Sequence, residues 1–161
     1  MKDRLTGLLN RTFLIEQLDK LLEKTSSPLL SLLFIDIDFF KAVNDFHGFI
    51  GGDSVVVKIA EELSKQVQSR GFASRYGGEE FAILLPETNV QTATELAESI
   101  RTAIENTDFF PQGYYNQVTV TILVTELSRN ASHSNAEEIL KKLDDSVFEV
   151  KKSGRNRVKV I

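Results

Sequence analysis

The chain contains no cysteine. That excludes a disulfide framework and a thiolate metal site, and it is compatible with a reducing cytoplasm. No apolar run is long enough to span a bilayer, and the N-terminus lacks a signal-peptide pattern. A soluble, cytoplasmic domain with no membrane contact of its own is therefore expected, either alone or as the cytoplasmic part of a larger protein. Positive charge is also short: 19 Lys and Arg stand against 23 Asp and Glu, a net charge of −4. Non-specific nucleic-acid binding, which needs a basic surface, is disfavoured. Internal repeats, low-complexity tracts and linkers are missing as well. What is present, 161 residues of which 42% are hydrophobic, suits one globular domain over residues 1–161 with a full core.

The stretch Arg75-Tyr76-Gly77-Gly78-Glu79-Glu80-Phe81 organises the rest. Short apolar runs at 72–76 and 81–85 flank it, so it reads as a β-hairpin turn whose glycines are expected to supply positive φ angles. The tip would present Glu79 and Glu80 while Phe81, Ile83 and Leu85 alternate into the core. Upstream, residues 29–35 form an almost unbroken apolar run that suits a strand buried on both faces and ends in Asp36-Ile37-Asp38. Carboxylates at the end of a buried strand are costly without a partner. If the hairpin lies beside this strand, Asp36 and Glu79 converge on one hard cation such as magnesium, with substrate phosphates completing its sphere. The competing reading is a solvated turn with charged shoulders.

Around this pair the pattern alternates. Thr12 opens a helix with Leu14, Leu18, Leu21 and Leu22 on one face, and Ser26-Ser27-Pro28 stops it. Residues 39–45 form a short helix or turn, 47–52 a glycine-containing loop, and 53–67 a helix. Its Val55-Val56-Val57 run must be held by packing. Pro86 ends the hairpin. Asn89 or Thr92 caps a helix that buries Ala93, Leu96, Ala97, Ile100 and Ile104. After an irregular segment at 109–115 comes an alternating strand over 118–125. Asn135 and Glu138 then cap a last helix through Ile139, Leu143, Val147 and Val150 to Gly154, with an edge strand over 157–161. Helices interleaved with strands, plus one hairpin, imply an α/β sandwich on a mixed sheet.

Taken together, these motifs resemble the GGDEF domain, the diguanylate cyclase family, in a G-G-E-E-F variant. The resemblance runs from Asp3-Arg4-Leu5-Thr6-Gly7-Leu8-Leu9-Asn10-Arg11 through Asp36-Ile37-Asp38-Phe39-Phe40-Lys41, Asn44-Asp45, Gly48, Gly52-Asp53 and the hairpin. It ends at Lys151-Lys152-Ser153-Gly154-Arg155-Asn156. The resemblance implies a palm-like, nucleotide-cyclase-like fold: a mixed sheet of about five strands in βααββαβ order. It also implies condensation of two GTP molecules into cyclic di-GMP with release of pyrophosphate, by metal-assisted attack of a 3′-hydroxyl on an α-phosphate.

By resemblance, the Asp36 carboxylate, the Ile37 carbonyl and Glu79 bind Mg2+, or Mn2+ in its place. Glu79 also takes the proton of the attacking hydroxyl, and Glu80 is a second ligand. Backbone amides of Phe39 and Phe40 cradle phosphates at a helix N-terminus, where Lys41 adds charge to the catalytic set. Lys151 and Arg155 reach the β and γ phosphates, although cations near a helix C-terminus are also favourable without a ligand. Asn44 and Asp53 correspond to the guanine readers. Asp53 would accept from guanine N1 and N2, whereas adenine would leave it unpaired. Outside the motif they would be a turn Asn and an N-cap Asp, and Asp38 a solvated or capping carboxylate.

The family chemistry requires a homodimer, at least transiently, because each monomer holds one GTP. It also suggests that an upstream sensory domain precedes this output module, since Met1-Lys2 abuts the opening motif. Departures from the pattern are Phe49 where a nucleotide-contacting histidine is usual, Leu123 for a small glycine, and Ser146 and Val150 for alanines. His47 reads as a solvated loop residue. The R-x-x-D motif by which relatives bind product falls here on Gln68 and Gly71, with Arg70 out of register. These departures keep open a second class, a degenerate GTP-binding or regulatory domain without turnover, and a third, a structural dimerisation module.

Overall fold

The computed structural model describes residues 1–23, 29–128 and 135–161. In chain order the elements are α1 (Arg11–Glu23), β1 (Leu29–Ile37), α2 (Phe40–Val67), β2 (Phe72–Arg75), β3 (Glu80–Pro86), α3 (Val90–Glu105), β4 (Val120–Ser128), α4 (Ala136–Lys152) and β5 (Arg157–Val160). A single 3₁₀ turn, Gln68–Arg70, follows α2. The five strands form one sheet in the order β2-β3-β1-β4-β5. Strand β1 lies in the middle, antiparallel to both neighbours, and β5 runs parallel to β4. The mixed, five-stranded sandwich expected from the sequence is what forms.

Each face of the sheet is covered by a helix pair, which explains why β1 and β3 are apolar at nearly every position. Leu33, Ile35, Phe81, Ile83 and Ile122 point to α2 and α3 and pack on residues such as Val56, Ile59 and Ile100. Leu32, Phe34, Ala82, Leu84 and Leu123 point the other way, onto Leu14 and Leu18 of α1 and Leu140 and Val147 of α4. Period-2 alternation thus serves two cores rather than one core and solvent. Each fully buried Leu, Ile or Val in these layers contributes about 1.5–3 kcal/mol of hydrophobic stabilisation. Leu123 fills the second core, where the family pattern has glycine.

Several local expectations change. Residues 47–52 are not a loop: α2 runs from Phe40 to Val67 and is broken only at Gly48, whose φ of 76° and ψ of 173° turn the chain between two helical segments. Only a residue without Cβ takes that conformation readily, so the glycine fixes where the break falls. Asp53 accordingly sits inside the second segment and is not an N-cap. Val55 and Val56 are buried in α2, so tertiary packing overrides their weak helix propensity. Asn89 and Asn135 cap α3 and α4, accepting from Thr92 N and Glu138 N at 2.9 Å. Helix α4 ends at Lys152 with Ser153 as its C-cap, and Gly154, at φ of 136°, follows as the expected terminating glycine; the helix buries Leu140 where Ile139 was expected. Strand β4 begins at Val120, two residues later than the alternation suggests. The Ser26-Ser27-Pro28 stop lies outside the described residues.

Candidate active site

Register places the acidic segments side by side. Asp36 pairs with Glu80 across β1 and β3, and the Ile37 amide donates to the Glu79 carbonyl at 3.1 Å. The hairpin holding Glu79 does not use glycine as expected, because neither Gly77 nor Gly78 has a positive φ. A Cβ at Gly77 would come within 2.6 Å of Glu80 Oε1, the far end of a flexible side chain that can swing aside. The tip is braced from below by Arg75, which donates to the carbonyls of Gly77 at 3.1 Å and Gly78 at 2.9 Å. Its guanidinium also reaches Asp3 at 3.3 Å, so the N-terminal segment is tied to the hairpin. Sequence reading missed this role, although Arg75 directly precedes the turn.

A cavity of about 550 Å³ opens between the end of β1, the start of α2, the hairpin tip and the last turns of α4. Asp36, Ile37, Glu79 and Glu80 line its acidic side. Phe39 just before α2, and Phe40 and Lys41 in its first turn, enter from one side, and Lys151 and Arg155 from the far wall. Phe39 adopts a left-handed conformation with φ of 55° and ψ of 37°, and no side chain caps the helix it opens. Holding a bulky residue there costs on the order of 1–3 kcal/mol. The Phe39 ring lies under the Arg155 guanidinium, whose carbon is 4.3 Å from the ring centroid. Lys41 is 91% exposed and pairs with Asp45 at 3.0 Å.

Lys151 is held differently. Its ammonium lies 2.8 Å from Asp36 Oδ1, 3.1 Å from the Ile37 carbonyl and 3.4 Å from Asp38 Oδ1. In this state it contacts carboxylates rather than open cavity. Asp38 is neither solvated nor a cap. Its buried carboxylate accepts from Thr119 Oγ1 and Thr121 Oγ1 at 2.7 Å and from the Asn156 amide at 2.9 Å. It therefore binds β1 to β4 and to the loop before β5.

Electrostatics follow from crowding acids into a partly dry site. Burial raises the Asp36 carboxyl above its ordinary value, against the opposing pull of Lys151. Glu79 is raised by burial and then by the charge of Asp36. Glu80 is pushed up to about 9 by burial, by a hydrogen bond with Asp144 and by the charges of Asp144, Asp36 and Glu79. Near neutral pH Glu80 thus holds a proton. Sequence reasoning did not single out Asp144. Its signal was its place on α4, two turns before Lys151 and on the same face.

The expected guanine readers lie elsewhere. Asn44, Phe49 and Asp53 do not line this cavity; they follow along α2, with Asp53 exposed and Phe49 81% exposed. Asn44 has a reserved place, since a Cβ on Gly52 would lie 1.8 Å from its Oδ1. His47 is not a solvated loop residue. Its ring stacks on Phe110 at a centroid distance of 3.5 Å, and Nε2 meets the Tyr115 carbonyl oxygen at 2.9 Å.

The donors fit a hard divalent cation. Asp36 Oδ1 and the Ile37 carbonyl converge on one positive group already, the Lys151 ammonium, and Glu79 borders the same cavity. Among the described residues no three His, Cys, Asp or Glu side chains are arranged to hold a metal ion by themselves. Two carboxylates and one carbonyl leave positions for phosphate oxygens and water, as Mg2+ prefers.

A helix-flanked mixed sheet with paired carboxylates at the end of its central strand, facing a cavity edged by cations, defines a palm-like fold of the nucleotide-cyclase kind. More narrowly, the chain belongs to the GGDEF family: the family described as "Diguanylate cyclase, GGDEF domain" matches residues 1–157. The response regulator PleD of Caulobacter vibrioides is 37% identical over 158 residues, covering 97% of this chain and 35% of PleD. The active GGEEF domain of a Vibrio cholerae diguanylate cyclase superposes with a TM-score of 0.82 at 32% identity, covering 95% of this chain and 97% of that one. The GGDEF domain of DgcB from Caulobacter crescentus, in complex with c-di-GMP, gives a TM-score of 0.86 at 28% identity, with coverage of 99% and 94%. The chain spans about a third of the length of PleD. Among the described residues no helix is long and apolar enough to cross a membrane.

Proposed function

We propose that this domain condenses two GTP molecules into cyclic di-GMP, each 3′-hydroxyl attacking the α-phosphorus of the other nucleotide with loss of its pyrophosphate. The observation that carries this reading is the pairing of β1 with the hairpin, which sets Asp36 and Glu79 together at a cavity bordered by Lys41, Lys151 and Arg155. Asp36, the Ile37 carbonyl and Glu79 would hold a divalent cation, with Glu80 as a further ligand. When bound, that ion neutralises triphosphate charge and polarises the reacting oxygens. Glu79 accepts the proton of the 3′-hydroxyl, and its raised affinity for protons suits that task. The uncapped start of α2 offers amides of Phe39 and Phe40 to phosphate oxygens, with Lys41, Lys151 and Arg155 supplying positive charge.

Asn44 and Asp53 select guanine at the outer end of the nucleotide. One monomer holds one GTP, so turnover needs two copies to meet face to face, and an adjoining sensory domain would act by raising the fraction of productive pairs. A cytoplasmic setting gives access to GTP. Purified protein is incubated with GTP and Mg2+ and the products separated by mass; cyclic di-GMP supports the proposal. A second reading, binding without turnover, is favoured by the exposed Phe49 in place of the family histidine. It predicts GTP binding with no product.

A further inference from the structure

We infer that the Lys151 ammonium is an internal occupant of the metal position, which it holds between Asp36 and Ile37 until a divalent cation displaces it toward the triphosphate. The inference rests on the proposed metal role of Asp36. An ammonium has three N–H donors, and the three oxygens nearest Lys151 Nζ, at 2.8, 3.1 and 3.4 Å, belong to Asp36, Ile37 and Asp38. Two of them are the atoms assigned to the metal. A Mg2+ ion bonds oxygen at about 2.1 Å. An ion on Asp36 Oδ1 would therefore lie within about 5 Å of the ammonium if the lysine stayed, given the 2.8 Å contact. The two cations would also compete for the same lone pairs, in a place where side-chain exposure is only 14% for Lys151 and 10% for Asp36. Screening there is weak, so the two do not share the site.

The neighbours fit exchange. Asp38 is fixed by Thr119, Thr121 and Asn156, so it stays in place when Lys151 leaves. For Asp36, Lys151 is the one side chain among the described residues that hydrogen-bonds the carboxylate. The lysine sits in the last turn of α4 on the cavity wall, so a change of rotamer transfers its charge from carboxylate to the phosphate region. Without nucleotide, the lysine opposes metal binding. With nucleotide, the released ammonium gains a phosphate partner, so cation and GTP bind cooperatively.

The test measures Mn2+ affinity of the nucleotide-free protein by calorimetry in wild type, Lys151→Met, Lys41→Met and Asp36→Asn, and affinity for a non-hydrolysable GTP analogue in the first two. Lys151→Met should bind Mn2+ about tenfold or more tightly, the scale of a lost charge-assisted competitor, while binding the analogue more weakly. Opposite signs on the two ligands distinguish displacement from general damage. Lys41→Met removes the same charge from the same cavity and should change Mn2+ affinity less than about twofold, because Lys41 is solvated. An unchanged or weaker Mn2+ affinity in Lys151→Met overturns the inference, as does an equal gain in Lys41→Met. If Asp36→Asn binds Mn2+ like wild type, the metal assignment fails first and this inference with it. Should Lys151→Met fail to fold, the ammonium resonance of Lys151 in ¹⁵N-labelled wild type is followed during Mg2+ titration. A shift with loss of exchange protection supports displacement; a static resonance at calorimetric saturation overturns it.

Discussion

Replacing Asp38 by alanine tests how the site is built. One carboxylate accepts from Thr119, Thr121 and the Asn156 amide at 2.7, 2.7 and 2.9 Å, and its side chain is 0% exposed. A hydrogen bond to a charged group is worth about 1.5–3 kcal/mol net, and a buried donor left unpaired costs about 1–3 kcal/mol. The two threonine hydroxyls can rotate toward other acceptors, whereas the Asn156 amide cannot, so the full sum is not reached. A loss of about 3–5 kcal/mol is expected, against a typical domain stability of about 5–15 kcal/mol. Asp38→Asn should lose less, because one acceptor oxygen remains while its amide group faces donors. Urea unfolding with an unchanged m-value reads the difference. A loss below about 1 kcal/mol for Asp38→Ala would show that the buried carboxylate does not hold β1, β4 and the loop before β5 together.

Asp53→Ser should shrink the preference for GTP over ATP by roughly tenfold or more; unchanged selectivity in competing-substrate assays would move the guanine contact elsewhere. Cyclic di-GMP titrated into the apo domain should show no submicromolar site of the R-x-x-D kind. Gly71 admits no acidic side chain, since a Cβ would fall 1.9 Å from the Leu84 carbonyl oxygen, and Arg70 Nη2 already donates to the Gln66 carbonyl at 2.9 Å. Submicromolar binding abolished by Arg70→Ala would contradict this. Glu80 gives a pH dependence of definite sign. With a folded value raised from 4.5 to about 9, the folded state holds a proton that the unfolded state releases. Its contribution to stability is therefore full below the unfolded value and lost as pH rises toward the folded one. Metal-free protein should lose stability between those limits, and Glu80→Gln should flatten the slope in thermal melts; an equal slope in the variant would place the proton elsewhere.

The central strand, the hairpin and their adjacency were legible because unbroken apolar runs ending in carboxylates have few other meanings, and because the motif fixes their order. What escaped depended on space rather than pattern. Gly77 and Gly78 looked like positive-φ turn glycines, yet neither has a positive φ. The break at Gly48 was blurred by Gly51 and Gly52, which look equally suited to a loop but lie within the second segment of α2. Phe39 carries no sign in the sequence of its left-handed backbone, with φ of 55°. Asp38 looked solvated because its partners, Thr119, Thr121 and Asn156, come from the opposite end of the chain. The same distance hid the grip of Lys151 on Asp36.

The most direct test of the account compares cyclic di-GMP formation by wild type and Glu79→Ala under identical GTP and Mg2+, with thermal unfolding run in parallel. Glu79 sits at the hairpin tip outside both cores, so the variant should fold normally and lose several orders of magnitude in rate. A folded Glu79→Ala that makes cyclic di-GMP at near wild-type rate would contradict the claim that the Asp36–Glu79 pair carries the chemistry.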